Sequence, residues 1–83
     1  MKPSRLLERL SRGAVQNVSF RDIQQLVEAL GFRLTRINGS HYTYAHPDIP
    51  ELINLQIHNG EAKPYQIRQI LGLVEKYGLA LVR

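Results

Sequence analysis

The chain has 83 residues and a mass of 9.5 kDa, which is room for one small domain. Its 43% apolar share can build one core, and its 22% of charged residues are not blocked together as in a disordered chain. The lack of cysteine excludes a disulfide scaffold, a cysteine-based metal centre and a thiol nucleophile, while a net charge of +4 and a pI near 9.9 favour polyanions as partners.

Leu6, Leu7 and Leu10, set between Arg5, Glu8, Arg9 and Arg12, predict a short amphipathic helix closed by Gly13. Residues 14–18 read as a linker, so residues 1–18 are expected to form a helix and linker ahead of a domain spanning 19–83. Ser19 is a natural N-cap, with Asp22 three residues on as a variant of the capping box. Phe20, Ile23, Leu26, Val27 and Leu30 then make one apolar stripe, and Gly31 ends that helix.

The period changes after Gly31. Residues 32–37 alternate, Asn38-Gly39 intervenes, and 40–45 follow as a second β-rich run, which predicts a hairpin turning on Asn38-Gly39. His46-Pro47-Asp48-Ile49-Pro50 is a stiff second turn, residues 52–57 a third strand, and 58–63 a loop. Pro64 suits the first turn of a last helix with Ile67, Ile70, Leu71 and Val74 as its stripe and Gly78 as its stop. The expected fold is a two-layer α+β domain: a three-stranded antiparallel meander covered by two helices, α-β-β-β-α, with an added N-terminal helix.

No apolar run approaches 18 residues and the N-terminus lacks a signal-peptide core, so a cytoplasmic chain without a membrane span is expected. A turn on Asn38-Gly39 would pair Ile37 with Ser40 and Arg36 with His41. The following turn would then bring the end of the third strand, Ile57 and His58, near His41, with Lys63 and a helix N-terminus close behind. His46 maps to the opposite end of the sheet. Cleavage of an RNA phosphodiester needs a base for the 2′-OH, an acid for the leaving oxygen and cations for the developing charge; histidine serves both proton roles near neutral pH, and no metal or other cofactor is required. His41, His58, Arg36 and Lys63 therefore have a shared chemical use, although a surface histidine is more often merely solvated. No zinc spacing is recognisable in His41, His58 and Asp48. Ser40 and His41 are adjacent strand residues and point to opposite faces, so they are no nucleophile–base pair. Tyr42 and Tyr44 share one face of the sheet, where they either stack RNA bases or simply pack.

Gly31-Phe32 closing an amphipathic helix, then Gly39-Ser40-His41, His46-Pro47, His58-x-Gly60, Lys63-Pro64-Tyr65 and Tyr77-Gly78 follow in an order that resembles the HicA family of bacterial toxins, over roughly residues 19–78. The resemblance implies a fold like the double-stranded-RNA-binding domain and a ribosome-independent mRNA interferase activity. It also implies mRNA as substrate, a HicB-like antitoxin as protein partner, and His41 as the catalytic residue. Family members often carry a proline and a basic residue just before the second histidine, where this chain has Gln56 and Ile57. The leading expectation is thus a toxin acting as an mRNA endonuclease, with His41 as general base or acid and His58 as a second proton-transfer group. Arg36, Ser40, Tyr42 and Lys63 would form its RNA-contacting set. Two alternatives stand beside it: a non-catalytic RNA-binding module of the same fold, and a protein-interaction module that docks an acidic partner.

Overall fold

A computed structural model describes residues 1–82. The elements run α1 (Pro3–Ser11), α2 (Phe20–Ala29), β1 (Arg33–Asn38), β2 (His41–His46), β3 (Ile49–His58), β4 (Glu61–Ala62) and α3 (Pro64–Tyr77). This is the expected α+β architecture, with the four strands in one antiparallel sheet in the order β1-β2-β3-β4. No helix among the described residues is long and apolar enough to cross a membrane.

The ends of α2 form as the sequence dictates. The Ser19 hydroxyl accepts the Asp22 backbone N–H at 3.1 Å, satisfying one of the free donors of the first turn. The other half of a capping box is not made, because the Asp22 carboxylate takes the Met1 amine instead, at 3.1 Å. At the far end the Phe32 N–H reaches the Val27 carbonyl and the Gly31 N–H reaches that of Glu28, both at 3.0 Å. That is a Schellman closure, and Gly31 sits at φ +100° to allow it. A side chain on Gly31 would meet a second obstacle: an added Cβ would lie 2.8 Å from His46 Nε2.

One core joins the layers. Ile23, Leu26 and Val27 of α2 and Ile67 and Ile70 of α3 are fully enclosed against Tyr44 and Leu55 of the sheet. Leu6 and Leu10 of α1, with Val15 and Val18 after it, belong to the same cluster. Tyr44 is wholly buried, which raises its phenol pKa, and its hydroxyl accepts a hydrogen bond from Gln24 at 3.1 Å.

Three expectations are corrected. The first concerns the hairpin: Asn38 pairs with His41, Ile37 with Tyr42 and Arg36 with Thr43, so the two-residue loop is Gly39-Ser40 and not Asn38-Gly39. A bulge between Leu34 and Arg36 then lets Leu34 face Tyr44. The predicted register would have set Leu34 beside Thr43; the observed one places Leu34 opposite Tyr44 and Ile37 opposite Tyr42, although both aliphatics stay exposed at this edge of the sheet. The second concerns residues 58–63. They are not a plain loop: Asn59 (φ +51°) and Gly60 (φ +75°) form a two-residue hairpin turn with both residues left-handed, and Ile57–Ala62 and His58–Glu61 pair across it. The meander therefore has a short fourth strand. The third is the start of β3, which lies at Ile49, ahead of Pro50. The register of β3 against β2 shifts between Tyr44 and His46, and an irregularity of this kind tolerates a proline.

Candidate functional site

Register decides which side chains share the uncovered face of the sheet. Leu55 and Ile53 point to the helices and are buried, so Asn54 between them and Gln56 after them point away. Their partners Thr43 and His41 do the same, followed across the next ladder by Arg36 and Asn38. The open face thus carries two rows, Arg36–Thr43–Asn54 and Asn38–His41–Gln56. The first is knit by a hydrogen bond between the Thr43 hydroxyl and Asn54 Oδ1 at 2.9 Å.

His41 is solvent-exposed, the first residue of β2, directly after the Gly39-Ser40 turn. Its cross-strand neighbours are the amides Asn38 and Gln56, and the Arg36 guanidinium belongs to the adjacent row of the same face. Ser40 holds the turn against β3: its carbonyl accepts the Ile57 N–H at 3.1 Å. His58 is the exposed last residue of β3, two positions beyond Gln56 and therefore on the His41 face, with Glu61 opposite it. Its Nε2 lies 3.5 Å from Asn59 Nδ2. Lys63 follows as the N-cap residue of α3, half-buried, with Pro64 at the first helical position and no side chain capping that end. His41 and His58 thus share the open face, while Arg36 pairs with Thr43 and not, as the expected register had it, with His41.

Tyr42 stands apart from this group. It lies on the helix-facing side, where its ring meets Phe20 edge-on with centroids 5.0 Å apart. His46 is a scaffold residue at the other end: its Nδ1 accepts the Asp48 N–H at 3.1 Å inside the Pro47-Asp48 turn, and its ring packs edge-on against Phe32 at 5.0 Å. Asp48 lies in that far turn too, and no three His, Asp or Glu side chains among the described residues gather as a metal-ligand set.

Two polar features, one near the site and one away from it, had no clear signal in the sequence. Gln66, buried in the first turn of α3, offers Oε1 to the Gln56 N–H at 3.1 Å. It continues the ladder where β4 has ended and so fixes the strand segment opposite His41. Away from the site, Tyr77 and Lys76 of α3 both donate to the Glu51 carboxylate, the lysine at 3.1 Å. The tyrosine bond above all, and then the lysine, hold the Glu51 carboxyl below its usual range; the carboxylate in turn raises both partners. This cluster ties the start of β3 to the end of α3.

A family model described as the HicA toxin of bacterial toxin–antitoxin systems matches residues 20–79. No curated protein and no solved structure matches the chain significantly. The family match starts one residue after the α2 cap and ends one residue after Gly78, so it takes in the whole sheet, both covering helices and the histidine face. With that span and this fold, the chain belongs to the HicA family of bacterial toxins.

Proposed function

We propose that this toxin is an endoribonuclease that cleaves mRNA, with His41 as its catalytic residue and the cytoplasm as its place of action. The observation that carries the reading is the exposure of the His41 imidazole on the open sheet face, beside the Arg36 row and within the same end as His58 and Lys63. In the reaction the ribose 2′-OH attacks the adjacent phosphorus. The imidazole takes the hydroxyl proton, the P–O5′ bond breaks, and a proton is returned to the leaving oxygen. The products are a 2′,3′-cyclic phosphate and a free 5′-OH. His41 serves one proton transfer and His58 the other, while Arg36 and Lys63 offset the charge gathering on the phosphoryl oxygens. Neutral Asn38 and Gln56 leave the His41 ring between hydrogen-bonding groups and not between cations. A HicB-like antitoxin would silence the toxin by covering this face. We read residues 1–18 as an addition to the 19–83 unit that carries the chemistry.

The test is cleavage of a synthetic RNA by the purified parent and by His41→Ala. The variant should keep its far-UV circular dichroism and lose about 10²–10⁴-fold in rate, and its expression should no longer arrest growth. Parental cleavage by the variant would remove His41 from the mechanism. The absence of a basic residue just before His58, where family members often carry a proline and a basic residue and this chain has Gln56 and Ile57, supports a second reading as a non-catalytic RNA binder. Salt-sensitive RNA retention by the parent with no new RNA ends would favour that reading.

A further inference from the structure

The net charge of this toxin is not where its histidines are. Residues 20–79, the span of the family match, hold six lysines and arginines against six aspartates and glutamates and are neutral overall. Residues 1–19 hold Lys2, Arg5, Arg9 and Arg12 against Glu8 alone, a net +3, and Arg83 supplies the remaining unit of the +4. The charge excess that could attract a polyanion at long range therefore lies mainly in and around α1.

The four cations are also arranged. Arg5 and Arg9 lie within α1, and Lys2 and Arg12 are the residues that flank it; their spacings of three, four and three residues set Arg5, Arg9 and Arg12 along one side, a row about 10 Å long at 1.5 Å per residue. All four are exposed. They stand one residue back from Pro3, Leu6 and Leu10, so the row is turned about 100° from the side on which Leu6 and Leu10 are buried in the core. Arg12 pairs with Glu8 at 2.9 Å, both largely exposed; Lys2, Arg5 and Arg9 form no ion pair among the described residues. The segment that leaves α1 is stapled to the turn after His58 and to β4: Phe20 N–H bonds the Gly60 carbonyl at 2.9 Å and Ala62 N–H that of Val18 at 3.1 Å. The basic helix is thus a fixed part of the body that holds the histidine face. Its apolar residues are used internally, which leaves charge alone for a ligand, and a row of guanidinium groups suits successive backbone phosphates.

We infer that α1 is an RNA-backbone grip, in which Arg5, Arg9 and Arg12 contact phosphates of the substrate strand and add three salt-dependent contacts to those of Arg36 and Lys63. The inference rests on the nuclease reading for the identity of its ligand, and its failure is separable from the failure of that reading.

The experiment titrates a fluorescent single-stranded RNA against full-length His41→Ala protein, which binds without cutting, over a series of salt concentrations. The comparison is the same protein carrying R5Q, R9Q and R12Q. Three phosphate contacts to a single strand contribute about 0.7 each to the slope of log affinity against log salt. The triple variant should therefore flatten that slope by about 2 and bind about 10²-fold more weakly at 0.1 M salt. The triple lysine variant should retain the parental slope. If the glutamine triple unfolds at the assay temperature, R5Q and R9Q singly, each expected to lose about 0.7 of slope, decide the matter. A parental slope in a folded glutamine variant overturns the role of α1 while leaving the nuclease reading standing. Absence of any RNA binding by the starting protein removes the nuclease reading as well. Equal displacement of RNA by polyglutamate of matched charge would assign the row to acidic protein and overturn the RNA grip.

Discussion

Leu10→Ala tests whether α1 is part of the core or an appendage to it. Leu10 is 1% exposed and belongs to the cluster that includes Ile23, Leu26 and Ile67. Truncating a fully enclosed leucine removes its transfer free energy and leaves a cavity, at a cost of about 2–5 kcal/mol. A chain of this length has a total stability on the order of 4–12 kcal/mol, from roughly 0.05–0.15 kcal/mol per residue. At the middle of both ranges, one substitution in α1 should then remove roughly two-fifths of the whole. The assay is urea denaturation followed by far-UV circular dichroism, with the slope of the transition fitted alongside its midpoint. At a slope of about 1 kcal/mol per molar urea, the midpoint should fall by about 2 M or more. Leu7→Ala, at a half-buried position, should move it less. A shift under roughly 0.5 M for Leu10→Ala, with the slope unchanged, would refute the reasoning: residues 20–79 would then fold without help from the helix in front of them.

Gly31→Ala should destabilise the protein, because the residue holds φ +100° and an added Cβ would press on His46 Nε2. Strain of about 1–3 kcal/mol is expected before any clash is relieved, and each kcal/mol should lower the melting temperature by about 4–8 °C. Gly72→Ala is the opposite case: the glycine is inside α3 with open space around it, so the substitution should raise the melting temperature, by about 0.5–1 kcal/mol of added stability. Glu51→Gln should flatten the acid side of the stability profile. The folded Glu51 carboxyl is held below its usual range, so its contribution is present above the unfolded pKa and disappears as pH falls through the folded one. Lys76 and Tyr77 are raised, so what they contribute is present below their unfolded values and is lost as pH climbs through the folded ones; melting temperatures of parent and variant from acid to alkaline pH would check both limbs.

Much of this fold could be read from residue order because local and tertiary preferences agree. Ser19 before an apolar stripe, Gly31 after it, and Pro64 opening the last helix each act within a few residues of themselves, and each stands where expected. Asn-Gly misled for a physical reason. The chain has two such pairs, at 38–39 and 59–60, and local chemistry does not distinguish them. At 59–60 nothing opposes the turn and both residues take positive φ. At 38–39 the turn lies one residue on: Ile37 pairs with Tyr42, only Gly39 is left-handed, and Asn38 ends the strand opposite His41. Register is a property of the sheet as a whole, and the assignment of faces, hence of Tyr42, depended on it.

The three histidines show where reading by residue type ends. His46 accepts a turn N–H and packs against Phe32 beneath Gly31, where the side chain stiffens a corner. His41 and His58 have no comparable enclosure and share the uncovered face. Nothing in the chemistry of imidazole separates these cases; position does, through the bulges that set the register and the helices that cover one side only. The same holds for charge. A composition of +4 suggested a basic nuclease surface, yet the span with the histidines is neutral and the excess lies on a helix outside the family match. Burying Leu6 and Leu10 fixes the rotation of that helix, and the rotation in turn holds Arg5, Arg9 and Arg12 outward. The packing that α1 gives the core and the charge it presents to solvent are therefore consequences of one constraint, and a change at Leu10 that let the helix turn would disturb both.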